Sequence, residues 1–108
     1  MRITIIPVDG AVYVDGYSYS NLDLSGCGIP NEIHALQWYD TYGEVEFNSS
    51  FDGENIIKPS NQIIRELPDW VNAAKSKWDE AKIAEEDAAA KTKEAAKNQP
   101  ATTGTQTL

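Results

Sequence analysis

The chain has 108 residues, enough for one small domain, and a formal net charge of −8. With 17 acidic and nine basic residues it lacks the basic footprint of a nucleic-acid-binding protein. No apolar run approaches the roughly 18 residues that a membrane span needs, and the N-terminal run is typical of a strand rather than a signal peptide. A single cysteine excludes an internal disulfide, which favours a reducing cytoplasm.

Residues 2–20 are predicted to form a three-stranded antiparallel meander. β-branched residues dominate the stretch RITIIP, and the strand should end at Pro7 or lie at a sheet edge, because Pro7 cannot donate to a ladder. Asp-Gly pairs at 9–10 and 15–16 flank the apolar stretch AVYV and are strong hairpin signals, since Gly tolerates positive φ. The stretch YSYS then alternates aromatic and small polar residues, as a half-buried strand does.

A turn-rich connector, NLDLSGCGIPNE, leads to a second predicted hairpin. Its arms are EIHALQWYD and EVEF, joined by the turn TYG, and Val45 alternates with Glu44 and Glu46. At least one face of this hairpin is therefore expected to be core. Since neighbours on a strand point to opposite faces, either Trp38 or Tyr39 belongs to that core. The polar stretch NSSFDGENIIKPSN that follows is interpreted as a loop.

One long helix is predicted over residues 67–97. Pro68 suits a first helical turn, Asp69 places negative charge at the positive end of the helix dipole, and no Gly or Pro follows up to Lys97. The predicted fold class is therefore α+β. A small antiparallel β domain of meander and hairpins occupies residues 1–66, the C-terminal helix 67–97, and a polar tail of flexible composition 98–108.

The helix has two candidate faces. Trp70, Ala74 and Trp78 recur every four residues and should dock the start of the helix on the sheet. A heptad seam suggests self-association as the alternative to a solvated helix, although Glu85 and Thr92 interrupt it. The seam positions are Val71, Ala74, Trp78, Ala81, Ala88 and Ala95.

The residues that could carry chemistry are few. His34 is the only histidine and has no ligand set of metal-like spacing, so it is expected to be a partly buried structural residue. Cys27, between two glycines, lacks a recognisable base and orienting group and is also interpreted as structural. We therefore assign no catalytic residue, cofactor or metal ligand, and expect a non-enzymatic protein.

Aromatic side chains are the strongest sign of a binding surface. We expect one face of the second hairpin to pack beneath Trp70 and Trp78, and the other, with Tyr39 or Trp38 and with Tyr42, to meet a partner. The candidate protein-interface residues are therefore Trp38, Tyr39, Tyr42, Trp70 and Trp78.

Three stretches of the sequence carry a resemblance to a known group of proteins. ITIIPVDGAVYVDG, GIPNEIHALQWYDTYGEVEF and LPDWVNAAKSKWDEAK resemble short proteins encoded beside tail-fibre genes in tailed bacteriophages and prophages. The resemblance covers roughly residues 1–82 and is sharpest in IHALQWYD and GEVEF. Members of this group are generally taken to be tail-fibre assembly chaperones or tail-fibre accessory proteins, and they have no known catalytic machinery.

The resemblance implies a protein made in the bacterial host cytoplasm that binds a phage tail fibre or another tail protein. Two roles stay open: a transient chaperone during fibre assembly, and a structural component that remains on the tail fibre or baseplate of the virion. A third alternative, a carbohydrate-binding tip, depends only on the aromatic residues. The partner is a tail protein in the first two cases, with homo-oligomerisation through the helix as a further expectation.

Overall fold

A computed structural model describes residues 1–97, with side chains through Lys91. The strands are β1 (Arg2–Ile6), β2 (Ala11–Val14), β3 (Tyr17–Tyr19), β4 (Ile33–Tyr39), β5 (Gly43–Phe47), β6 (Ser50–Phe51), β7 (Ile56–Ile57) and β8 (Gln62–Ile64), and the helix is α1 (Asp69–Lys97). Six strands form an antiparallel sheet in the order β3-β2-β1-β4-β5-β8, while β6 and β7 form a separate hairpin. The α+β class predicted from the sequence is confirmed.

The N-terminal meander has the predicted strands and turns. Strand β1 ends at Ile6, and a short 3-10 turn over Pro7–Asp9 leads to Gly10, which has a φ of 58°. A β-carbon on Gly10 would stand 2.5 Å from the carbonyl oxygen of Leu22, so this position requires glycine. Asp15 and Gly16, at φ values of 50° and 86°, form the tight turn between β2 and β3.

One face of the sheet forms the core. Ile5 of the central strand β1 lies opposite Val12 on one side and Leu36 on the other, and all three side chains are fully buried. Loop and helix residues complete the core, including buried Leu24 and Cys27 of the connector.

The register of β4 against β5 shifts between Ile33 and Ala35, as in a β-bulge. The shift places Ile33 opposite Phe47 and Leu36 opposite Val45, so that residues at odd and even positions of one strand both reach the core. His34 lies at the shift and is exposed. The expectation that His34 is partly buried is therefore wrong, because the extra residue of the bulge does not follow the strand's alternation.

The helix packs against β2 and β3 through its first turns, where Val71, Ala74 and Trp78 are buried. It begins at Asp69, two residues later than predicted, and the N–H of Val71 donates to the carbonyl of Pro68 at 3.0 Å. From Ile83 to Lys91 every side chain is exposed, so this part of the helix projects from the sheet. In the described residues no helix is both long and apolar enough to cross a membrane.

Two elements were missed in the sequence. The stretch interpreted as a loop contains the β6–β7 hairpin, and β8 follows it before the helix. Strands of two and three residues are too short to show a periodic pattern, and β8 is recognised as a strand only through its pairing with β5. The predicted polar tail, 98–108, lies outside the described residues.

Candidate protein-interaction surface

The sheet face opposite the helix is called the open face here. Its side chains alternate with those of the core, and strand pairing aligns them across the sheet. They are Arg2, Thr4, Tyr13, Gln37, Tyr39, Glu44, Glu46 and Ile63. Within this set Tyr13 and Ile63 are large apolar groups that remain about half exposed.

Tyr39 and Tyr42 meet at one end of the open face. The β4–β5 connection has three residues, Asp40, Thr41 and Tyr42, and the N–H of Tyr39 donates to the carbonyl of Tyr42 at 2.7 Å. The two ring centroids are 5.2 Å apart with an interplanar angle of 34°. Tyr42 is 38% exposed, which agrees with its expected position at a turn tip.

Trp38 points the other way and is only 5% exposed. The alternative left open by the sequence is thus decided: Trp38 belongs to the core, and Tyr39 to the open face. The two neighbours take opposite sides of the sheet, and Trp38 pairs with Gly43 inside the hairpin.

Two arginines flank the tyrosine pair. The guanidinium carbon of Arg2 lies 4.9 Å from the ring centroid of Tyr39, and that of Arg65 lies 5.8 Å from the centroid of Tyr42. These are the only two arginines in the sequence. We call Arg2, Tyr39, Tyr42 and Arg65 the Arg–Tyr ladder. Two cation–π contacts and one ring contact thus connect the four side chains in the order Arg2, Tyr39, Tyr42, Arg65.

The tryptophans of the helix lie on the core side. Trp78 is buried, and its indole Nε1 donates to the carbonyl oxygen of Tyr17 at 2.9 Å, whereas Trp70 is half-buried beside the core. The five aromatic residues predicted as interface candidates therefore lie on two different sides of the sheet. Only Tyr39 and Tyr42 share the open face.

The same contacts affect the predicted heptad seam. Its first three positions, Val71, Ala74 and Trp78, pack on the sheet and are not available to a second helix. Ala81 is half-buried, and Glu85 accepts a hydrogen bond from the hydroxyl of Tyr17. Position 95 lies beyond the described side chains.

Tyr17 and Tyr19 fasten the helix to the β3 edge of the sheet. Their rings lie 6.4 and 6.0 Å from the ring of Trp78, both close to edge-on. The hydrogen bond to Glu85 raises the pKa of Tyr17, and burial, followed by the neighbouring Tyr17 hydroxyl, raises the pKa of Tyr19 to about 12. Within the described part of the chain, the buried Tyr19 hydroxyl makes no hydrogen bond.

A second exposed surface was missed in the sequence. We call residues 50–57 the arm; it comprises β6, β7 and their turn. Phe51 and Ile56 lie opposite each other and are 67% and 76% exposed. Asp52 closes the turn by accepting from the N–H groups of Glu54 and Asn55, and these bonds lower the pKa of its carboxyl group.

The arm exposes large apolar groups on an isolated two-stranded hairpin. Such a hairpin is marginally stable by itself, and exposed apolar side chains usually mark an interface when they cluster. The available signal in the sequence was Asp52-Gly53 between Phe51 and the pair Ile56-Ile57, a hairpin motif with only two residues on each side. The arm is therefore a second candidate contact region.

A surface pocket of about 590 Å³ beside His34 offers little for catalysis. Ser25 also lines it, but its hydroxyl donates to Asp23 at 2.6 Å rather than to His34. Cys27 is buried and does not line the pocket. Among the described residues, no group of three His, Cys, Asp or Glu side chains could hold a metal ion. In the part of the chain whose side chains are described, the geometry brings together no nucleophile, base and orienting group.

Comparison of the chain with models of protein families, with curated proteins and with solved structures found no match.

Proposed function

We propose that this chain is a non-enzymatic bacteriophage tail protein that binds the tail fibre, as an assembly chaperone or as a fibre-attached accessory subunit. It would be made in the host cytoplasm and act at the tail fibre or baseplate. The proposal combines the resemblance of residues 1–82 to tail-fibre accessory proteins with the surface properties of the domain.

The observation that carries the proposal is the set of exposed aromatic and apolar side chains in and around β5 and β8. Tyr42 precedes β5, Ile63 lies in β8, and the arm with Phe51 and Ile56 connects the two strands. None of these side chains belongs to the core cluster. A small soluble domain that leaves so many large apolar groups exposed has the surface of a protein that docks on another protein.

Pull-down of the fibre protein tests the proposal. The tagged chain is co-expressed with a tail-fibre protein encoded in the same genome, and the amount of fibre protein retained is compared among variants. Tyr42→Ala and Phe51→Ser should reduce retention by about fivefold or more, as loss of an interface anchor worth roughly 1 kcal/mol or more does. Ile83→Ala is the matched control, because Ile83 is an exposed apolar residue on the projecting helix.

Equal retention by all variants, or no retention of the fibre by the unaltered chain, would contradict the proposal. The two roles within it are separated by mass spectrometry of purified phage particles. A fibre-attached subunit should be present in stoichiometric amounts, whereas a transient chaperone should be absent.

A further inference from the structure

The two guanidinium groups of the Arg–Tyr ladder are both exposed and unpaired with acids. The ion pairs within the described residues are Met1–Asp40, Lys75–Asp79 and Lys82–Glu86, and none involves an arginine. This is unexpected in a chain with 17 acidic residues and only nine basic ones. The guanidinium groups of Arg2 and Arg65 therefore contact tyrosine rings instead of forming ion pairs with carboxylates of their own chain.

Three acids in the strands and turns around the ladder accept hydrogen bonds from other groups. Asp40 in the β4–β5 turn accepts from the amino group of Met1 at 2.7 Å, and Asp15 accepts from the backbone N–H of Arg2 at 2.9 Å. Glu44 accepts from the side-chain amide of Asn61 at 3.1 Å. Since no ion pair within the described residues engages Arg2 or Arg65, their guanidinium N–H groups remain open to a carboxylate from outside.

A guanidinium above a ring is still able to bind an anion. It has five N–H donors, more than a contact with one ring face engages, and its planar fork matches the two oxygens of a carboxylate. Contact with the tyrosine rings also restricts the arginine side chains. Less conformational entropy is then lost when a ligand orders them.

We infer that the Arg–Tyr ladder binds the carboxylates of an acidic, extended segment of the partner protein. The inference rests on the proposed function in that the open face docks a protein. The ring and cation distances limit the separation of the two guanidinium carbons to at most about 16 Å, the span of about five residues of extended chain. Two carboxylates about four residues apart on one extended segment could therefore reach both arginines.

The ladder is less suited to two other classes of ligand, sugars and nucleic acids. A sugar ring needs a free aromatic face to stack on, but each tyrosine of the ladder has a guanidinium over its ring and the other tyrosine beside it. A nucleic acid carries a dense row of phosphates that needs many basic groups, whereas the ladder supplies two arginines and the open face also carries Glu44 and Glu46. A peptide with two carboxylates needs only two basic groups, the number that the ladder supplies.

A peptide titration followed by nuclear magnetic resonance tests the inference without the fibre. The probe is a blocked heptapeptide of serine with glutamate at its second and sixth positions, and the control probe has glutamine at both. The glutamate peptide should shift the amide signals of Tyr39 and Tyr42. Arg2→Gln and Arg65→Gln should each weaken its binding about fivefold or more, equivalent to roughly 1 kcal/mol.

Lys58→Gln is the matched variant, because it also removes one positive charge from an exposed position. It should leave binding of the glutamate peptide within about twofold of the unaltered chain. Arg2→Lys and Arg65→Lys retain the charge but not the planar fork, and they should weaken binding too. The amide spectrum of each variant verifies that the fold is intact.

Several results would overturn the inference: equal binding of the glutamine peptide, equal losses in Lys58→Gln and Arg2→Gln, or shifts confined to signals away from the ladder. Tighter binding of an acidic oligosaccharide at the same signals would replace the peptide with a glycan. These readouts do not involve the fibre, so failure of the peptide titration with successful fibre pull-down refutes the carboxylate site alone. The converse result refutes the fibre as partner.

Discussion

Gly43 lies directly opposite Trp38 across the β4–β5 hairpin, on the core face of the sheet. A β-carbon added to Gly43 would stand 2.8 Å from Cε3 of the indole and 3.0 Å from the carbonyl oxygen of Gln37. Trp38 is thus accommodated in the core because its cross-strand neighbour has no side chain. The largest side chain of the hairpin and its smallest neighbour form one packing unit.

Substitution of Gly43 by alanine should destabilise the domain. The added methyl group forces the Trp38 ring or the backbone to move, and such overpacking typically costs about 1–3 kcal/mol. Urea unfolding followed by tryptophan fluorescence measures the loss. Gly26→Ala is the control, since a β-carbon there meets no atom within 4 Å. An unchanged midpoint for Gly43→Ala would show that the ring does not rest on the glycine.

The turn length explains why the sequence left Trp38 and Tyr39 undecided. The predicted turn TYG would have paired Tyr39 with Val45, whereas the observed turn pairs Trp38 with Gly43 and Leu36 with Val45. The two registers differ by three residues opposite Val45, and any odd shift in register moves every side chain to the other face. Alternation was therefore sufficient to predict the strands, but the face of each residue depended on a turn whose exact residues the pattern did not define.

Other features could not be read from periodicity at all. The exposure of His34 follows from a bulge that only the pairing of β4 with β5 reveals. The arm and β8 are too short to show alternation. By contrast, the N-terminal meander and the presence of the helix were predicted correctly, because Asp15-Gly16 and the long stretch without Gly or Pro are local signals that tertiary contacts do not override. The expected docking of Trp70 and Trp78 on the second hairpin is wrong, since the helix packs mainly on β2 and β3.

Trp78→Ala should cost about 3–5 kcal/mol, because it removes a buried aromatic group and leaves a cavity between the helix and β3. It also removes the donor to the Tyr17 carbonyl. Trp70→Ala is the comparison, and we expect it to cost less because Trp70 is only half-buried. Urea unfolding followed by circular dichroism measures both. A loss for Trp70→Ala equal to or larger than that for Trp78→Ala would contradict this placement of the helix.

Stability should fall as the pH rises above about 10, the ordinary pKa of tyrosine. Burial raises the pKa of Tyr19 to about 12 in the folded chain, so the unfolded chain loses this proton first. The contribution of Tyr19 is therefore fully present below pH 10 and is lost as the pH rises through the folded pKa. Urea midpoints measured from pH 9 to 12 test this.

Tyr19→Phe should flatten that pH dependence, because phenylalanine cannot ionise in either state. Tyr13→Phe is the matched variant, since it removes a hydroxyl from the open face. Spectrophotometric titration of the phenolate in the folded chain provides a second readout. If the pH dependence of the urea midpoint is unchanged in Tyr19→Phe but lost in Tyr13→Phe, the assignment of this effect to Tyr19 is wrong.

The arm should be dispensable for folding although it carries large apolar groups. Phe51 and Ile56 are mostly exposed, so Phe51→Ser and Ile56→Ser should change the free energy of unfolding by no more than about 0.5 kcal/mol. Phe47→Ser is the matched comparison, because Phe47 packs against the core four residues earlier and should cost clearly more. Urea unfolding of the three variants decides the point. If Phe51→Ser is as destabilising as Phe47→Ser, the arm packs on the body of the domain and is not a free contact surface.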